Sequence, residues 1–355
     1  MKKKILVFMC LVLCYISIFA ENLYLFKYNN KYGYINDKKE VVIKPQYDFA
    51  NDFYSDYAIV GFINEKGKHF YSLINKKNEH IKTDLIKNDR VFLVSDNLFY
   101  ISGERVLYFA DLEKCVKVYD FESERIYSGK PYNIGVFYEK GAGFLSTKNI
   151  FYKIKGDWNY IYPMHNDLAF AKGTDASQVL IDIEGNVVVK DIFDCASEFS
   201  EGFMSISTKN DSGYINNKGE YIIHCSFEPN FHEFYPPGIN YPFKEGVAVP
   251  QVDYKVYKMY DNKGKEIMSE TKFNYCSYCS DGLILCQKEE NGKFGYLNKK
   301  GKQEINFIFD SASDFYNGYA QVVYQGKDAV IDKKGNLYYS EDIINSNKKS
   351  SLNVK

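Results

Sequence analysis

The chain has 355 residues, 45% of them hydrophobic, which excludes disorder over most of its length and allows one large domain or two ordinary ones. Basic and acidic residues number 45 and 46, a net charge of −1, and without a basic field to displace counterions a general nucleic-acid binder is excluded. Tyr (33) and Phe (27) far outnumber the single Trp, a bias toward pleated, half-buried strands.

The first element is a different polymer from the rest. Lys2-Lys3-Lys4 precedes an apolar run from Ile5 to Phe19, then Ala20 and a polar stretch beginning at Glu21. This order predicts a secretory signal peptide over residues 1–20 with cleavage near Ala20, although Ile18 is larger than a peptidase usually takes there. Localisation is then extracytoplasmic: periplasm, cell surface or secreted. A retained membrane anchor is the alternative, for which the run is slightly short. A lipid anchor at Cys14 is a third, weakened by bulky Leu13 and by the apolar Tyr15 to Phe19 it would leave exposed. No second segment is apolar enough to span a bilayer.

From residue 21 to 340 the chain repeats itself. Asp48-Phe49-Ala50-Asn51-Asp52-Phe53, Asp194-Cys195-Ala196-Ser197-Glu198-Phe199 and Asp310-Ser311-Ala312-Ser313-Asp314-Phe315 align without gaps as D-x-A-x-x-F, followed three residues on by Asp56, Gly202 or Gly318. An alternating apolar run follows each, so the motif reads as a loop feeding a strand. A second signature precedes it: Gly33-Tyr34-Ile35-Asn36, Gly213-Tyr214-Ile215-Asn216 and Gly295-Tyr296-Leu297-Asn298, with looser copies ending at Asp182, Asp261 and Asp332. Three residues beyond the Asn or Asp stands Gly185, Gly219, Gly264, Gly301 or Gly335, but Lys39 in the first copy. An Asn or Asp side chain bonds the backbone two residues ahead and starts a turn, and a glycine then accepts the left-handed conformation that reverses the chain.

With Asn75, Asp111 and Thr147 as weaker anchors, the turns recur at roughly 36 residues and give about nine copies. The one long spacing coincides with a Pro-rich insertion between Pro229 and Pro242. Each copy is expected to hold three short strands that bury a face only by stacking on their neighbours. The expected fold is all-β, about nine tandem repeats as a propeller-like ring or an open β-solenoid. The chain begins with a lone strand and ends with a hairpin, ends that are complementary and able to pair. The tail 341–355, rich in Ser, Asn and Lys, is expected to be disordered.

On these residues the chain resembles the WG (or KWG) β-repeat family of bacterial exported and surface proteins. That family's pattern runs Lys-Trp-Gly-Tyr-Ile-Asp, a Gly turn, an apolar strand, then Tyr-Asp-x-Ala-x-x-Phe. Here it stands as Lys31-Tyr32-Gly33-Tyr34-Ile35-Asn36 with Pro45-Gln46-Tyr47-Asp48-Phe49-Ala50, and again as Lys293-Phe294-Gly295-Tyr296-Leu297-Asn298. The family Trp is replaced by Tyr32, Ser212 and Phe294, and Trp158 lies at none of these places. The resemblance implies an architecture and no shared enzyme activity.

Candidate chemistry is thin. Cys115, Cys195, Cys225, Cys276, Cys279 and Cys286 would remain after signal removal, and Cys276-Ser277-Tyr278-Cys279 has redox-motif spacing. Aligned on Gly282, however, Cys276 takes the Ala place and Cys279 the Phe place, so both are expected to pack between copies as small hydrophobes, with a disulfide, redox or metal role as alternatives. His69, His80, His165, His224 and His232 lack metal-ligand spacing, and His224 and His232 beside Glu228 and Glu233 are expected to be a solvated loop. No nucleophile elbow or phosphate-cradling loop occurs. Asp48, Asp194 and Asp310 are expected to bond backbone amides rather than act in pairs on glycosides, because an active site needs one asymmetric constellation. The Tyr surplus is expected to be mostly core between repeats, with an exposed row able to stack sugars or anchor a protein as the alternative. No catalytic, cofactor-binding or metal residues are therefore expected, nor any cofactor. The expected function is a non-catalytic binding or scaffold surface for a protein or glycan, with a ligand-free envelope spacer or a glycan-active propeller enzyme as alternatives.

Overall fold

The computed structural model describes residues 22–352, apart from 87–90, 96–97, 102–105, 111–113, 118–132, 139–140, 147–150, 162–163, 165–166, 176–177, 191–194, 208–211, 225–241 and 254. The expected signal peptide, Asp194, Cys225, His165 and His232 fall outside these residues, as do anchors Asp111 and Thr147.

The anchor turns form as their chemistry dictates. The side-chain oxygen of Asn36 accepts the amides of Lys38 and Glu40 at 3.0 and 2.9 Å. Asn75, Asp182, Asn216, Asp261, Asn298 and Asp332 do the same two and four residues ahead. The residue three beyond is left-handed in every case, from Gly301 at φ 70° to Gly185 at 84°, and Lys39 (66°) and Asn78 (63°) adopt it without being glycine. The glycine that opens Gly-Tyr-Ile-Asn has another reason. A Cβ on Gly213 would meet the carbonyl oxygen of Ile223 at 1.9 Å, and one on Gly33 that of Ile43 at 2.5 Å, so the next strand crosses directly over this position.

These hairpins build nine antiparallel sheets among the described residues, joined in chain order. The eighth shows the complete unit: Tyr275–Ser280, Leu283–Gln287, Phe294–Asn298 and Gln303–Phe309, paired in that order. Here the expectation is corrected. D-x-A-x-x-F is not a loop; it forms the first strand of the following sheet, so the unit has four strands rather than three. Phe49–Ala50 pairs with Gly61 and Val60, and Ser311–Ala312 with Val323 and Val322. A bulge between the Ala and Phe places, as between Cys276 and Cys279, made the segment read as loop: it breaks the period-two alternation that marks a strand.

Neighbouring sheets pack face to face. Tyr34, Ile43 and Tyr47 of the first share a core with Ala50, Phe53 and Val60 of the second, and Leu285 and Tyr296 of the eighth one with Phe315, Val322 and Ile331 of the ninth. Part of the tyrosine surplus is explained here. Tyr34 and Tyr296 are wholly buried; their hydroxyls donate to the carbonyls of Asn51 and Ser313 in the next sheet, both at 2.7 Å, and their rings meet Phe53 and Phe315 edge-on.

The first and ninth sheets meet, and among the described residues they do so without strand pairing. Tyr24, Phe26 and Ile35 of the first sheet pack against Val330 of the ninth, and Tyr24 meets Tyr319 edge-on. The expected disordered tail is also corrected: residues Ser340–Leu352 form a helix that lies across this junction. Ile343 is buried in the same cluster, and Asn347 accepts from the amide of Val41 and donates to the carbonyl of Lys39. No helix among the described residues is long and apolar enough to cross a membrane.

Candidate binding site at the seam of the ring

The turn three residues beyond the Phe place holds two successive left-handed residues at Glu201 (φ 54°) with Gly202, Glu245 (52°) with Gly246, Asp281 (54°) with Gly282 and Asn317 (50°) with Gly318, whereas in the second sheet Ser55 is left-handed and Asp56 is not. The acids at this place link sheet to sheet. The Glu201 carboxylate accepts the amides of Glu245 and Gly246 at 2.6 and 2.7 Å, Glu245 those of Asp281 and Gly282 at 2.7 and 2.6 Å, and Asp281 that of Gly318 at 2.5 Å. The residue after the Phe place adds a second rung: the hydroxyls of Ser200 and Ser280 donate to the carbonyls of Phe243 and Phe315. The sequence carried a signal for this relay, an acid before the turn glycine in three copies, which reads alone as a solvated turn.

At the ninth sheet the relay changes partner. Tyr316 donates to the carbonyl of Phe53 at 2.7 Å, in the second sheet rather than the first. The first sheet has only Tyr24–Tyr28, Lys31–Ile35 and Val41–Tyr47. Among the described residues it lacks a first strand and therefore a turn.

At this gap lies a cavity of about 450 Å³, bounded by Leu25 and Lys27 of the first sheet, Ala50 and Asp52 of the second, and Ser311 and Val322 of the ninth. Small side chains such as Ala50, Ser311, Ala312 and Ala329 line it beside Tyr32 and Tyr54; Lys27, Asp52 and Asp328 supply charge. Burial pushes the Asp52 carboxyl up to about 6, against the opposing effect of the Leu25 amide that donates to it. Tyr54 beside it is raised by burial and by Asp52, Tyr278 and Tyr316 around it. Asp314, at the equivalent place in the ninth sheet, is raised by burial, and its Oδ1 has no hydrogen-bond partner.

Asp48 and Asp310 bond backbone amides, those of Ile63 and Gly326, both at 2.9 Å. Each also pairs with a lysine of the preceding sheet, Lys31 and Lys293, and that hydrogen bond holds each carboxyl below its ordinary value. Cys279 is buried at the Phe place against the seventh sheet, its thiol pushed up to about 12 by burial and by Glu245. Cys276 is buried too, but forms a disulfide with Cys286 on the adjacent strand. Sequence spacing drew attention to Cys276 and Cys279, whereas strand register opposes Cys276 and Cys286. His224 stacks on Tyr221, and no metal-ligating cluster exists among the described residues.

The stacked four-stranded sheets, with last packed on first, define a β-propeller-like repeat protein. The family profile described as "WG containing repeat" matches residues 32–60 and 294–327, so these two stretches carry WG β-repeats. Among solved structures, the chain is similar to one described as "Crystal structure of the eukaryotic initiation factor" at 10% identity, covering 90% of this chain and 95% of that one with a TM-score of 0.59. BamB from Moraxella catarrhalis matches at 9% identity over 89% and 93% of the two chains (TM-score 0.35), and apo AztD from Citrobacter koseri at 11% over 90% and 93% (TM-score 0.42). These are β-propeller-like proteins, and the first likeness supports the fold alone. No curated protein matches the sequence.

Proposed function

We propose that this is a non-catalytic binding or scaffold protein acting outside the cytoplasm, and that the seam cavity is where it engages a protein or glycan. The observation that carries this reading is the interruption itself. Glu201, Glu245 and Asp281 each bridge one sheet to the next through backbone amides, whereas at the seam three sheets converge on open space lined with polar groups. Concave sites of this volume with a few placed polar groups are the usual seats of ligands. Repetition elsewhere supplies the frame. The alternative of a glycan-active enzyme draws on one observation, the raised carboxyl of Asp52, which resembles a general acid.

The test is capture of partners from the envelope fraction, alongside a glycan panel, by the wild-type chain and by Ser311→Trp, whose side chain at an exposed position would plug the cavity. Loss of the captured partner in the plugged variant is expected. Capture unaffected by the plug overturns the assignment of the cavity, and turnover of a glycan abolished by Asp52→Asn overturns the non-catalytic reading.

A further inference from the structure

The cavity coincides with the place of a first strand, which the first sheet lacks among the described residues. In the ninth sheet the amide of Asp310 donates to the carbonyl of Val323 and that of Ser313 to Gln321. In the second, Asp48 donates to Gly61 and Asn51 to Ile59. Aligned through the glycine or alanine of the next strand (Phe26 opposite Gly33, Val322 opposite Ala329), the equivalent acceptors in the first sheet are the carbonyls of Lys27 and Leu25. Both residues line the cavity, and among the described residues Tyr24–Tyr28 has a strand neighbour on one side only. A further group is already diverted. The amides of Leu285 and Gln321 are held by Ser277 and Ser313 of their own first strands, whereas that of Leu25 is held by the Asp52 carboxylate of the neighbouring sheet.

The seat for a leading carboxylate is also in place. Asp310 binds the amide of Gly326 in its own hairpin turn and Lys293 of the preceding sheet. The corresponding turn in the first sheet is Asn29-Asn30, with the same left-handed pair (φ 51° and 58°, against 51° and 72° at Gln325-Gly326). The corresponding lysine is Lys327 of the ninth sheet, which is exposed.

We propose that the open edge of Tyr24–Tyr28 is a strand-acceptor site, which takes an extended segment of the pattern Asp-x-Ala-x-x-Phe donated by another polypeptide and adds it antiparallel as the fourth strand of the first sheet. Main-chain bonds to Lys27 and Leu25 give affinity, and the small cavity wall at Ala50 and Val322 with the carboxylate seat gives specificity, as in other additions of a strand to an exposed edge. The proposal rests on the binding reading above and narrows its ligand to an extended peptide.

The probe is a fluorescent synthetic peptide with the sequence of residues 309–318, titrated into the full chain as processed by the producing cell. Saturable binding is expected, with slower hydrogen exchange over residues 24–28. Affinity should fall roughly tenfold for a peptide carrying Asn in place of its leading Asp, or for Lys327→Glu, and be lost in Ser311→Trp. No binding, or binding indifferent to these changes, overturns the proposal. So does an N-terminal sequence of the processed protein that still contains residues 14–20 when peptide binding is absent, because Phe19 lies seven residues before Phe26, as Phe53 lies before Val60, and the chain's own segment would then be the occupant. Partners captured in a plug-sensitive way without peptide binding would leave the broader binding reading standing and sink this one alone.

Discussion

The hydroxyl of Tyr316 donates to the carbonyl of Phe53 at 2.7 Å, so the ninth sheet is tied to the second across the space where the first sheet has no first strand among the described residues. The rings of Tyr316 and Tyr54 lie 5.6 Å apart at the same place. Removing the hydroxyl in Tyr316→Phe leaves this ring contact and deletes one partly buried hydrogen bond, which should lower stability by about 1 kcal/mol. Urea denaturation checks it, and a change near zero would mean the seam is held by apolar packing alone.

The turn relay predicts a larger cost. Glu245 holds two main-chain amides of the eighth sheet with one charged carboxylate. Glu245→Gln keeps one acceptor and the side-chain length, so about 1–2 kcal/mol should be lost, from charge-assisted bonds. Exchange of the Asp281 and Gly282 amides should quicken first, and unchanged protection there would refute the relay.

Asp52 gives a pH dependence with a definite sign. Its carboxyl titrates at about 6 in the folded chain against an ordinary 3.8, so between those values the folded state binds more protons than the unfolded one. Stability from this group therefore rises as pH falls from 7 to 4, by up to about 3 kcal/mol, since a tenfold difference in proton affinity is worth about 1.4 kcal/mol. Asp52→Asn abolishes that contribution: the difference in unfolding free energy between variant and wild type should shrink as the pH is lowered, with the variant relatively favoured at pH 7. A difference independent of pH would show that Asp52 is not desolvated.

Cys276 and Cys286 should appear in one disulfide-linked pair of peptides after non-reducing digestion, with Cys279 recovered as a thiol. Cys286→Ser should cost on the order of 2–3 kcal/mol through the short loop that the bond closes. A Cys276–Cys279 linkage would contradict the strand register.

Cutting the chain after Tyr339 removes Ile343 from the seam core and both Asn347 bonds. Loss of a buried Ile alone is worth about 2 kcal/mol or more. The truncated chain should unfold at lower denaturant, with Lys39 and Val41 exchanging faster.

Much of the fold was legible because its signals are local. An Asn at position 36 or 298 acts on amides two and four residues away, and a glycine at 219 or 301 answers a backbone angle of its own, so a string of residues suffices to place those hairpins. The first strands were misread because a bulge hides their alternation, and the C-terminal helix because its polar composition gives no hint of the junction that Ile343 and Asn347 meet. The candidate site was invisible for a different reason: it is made by what one sheet lacks among the described residues.

Sequence alone determined the repeat, its turns and the all-β class, since each depends on side chains bonding their own neighbourhood. Tertiary structure decided how the first and ninth sheets meet, which cysteine opposes Cys276, and that Asp52 stands beside the cavity at their junction. The cysteine pairing, ten residues apart, follows from strand register across a bulge; the other two follow from packing sheets whose residues lie 263 to 306 apart in the chain, as Phe53 and Tyr316 or Val41 and Asn347 do, a separation over which no local preference acts.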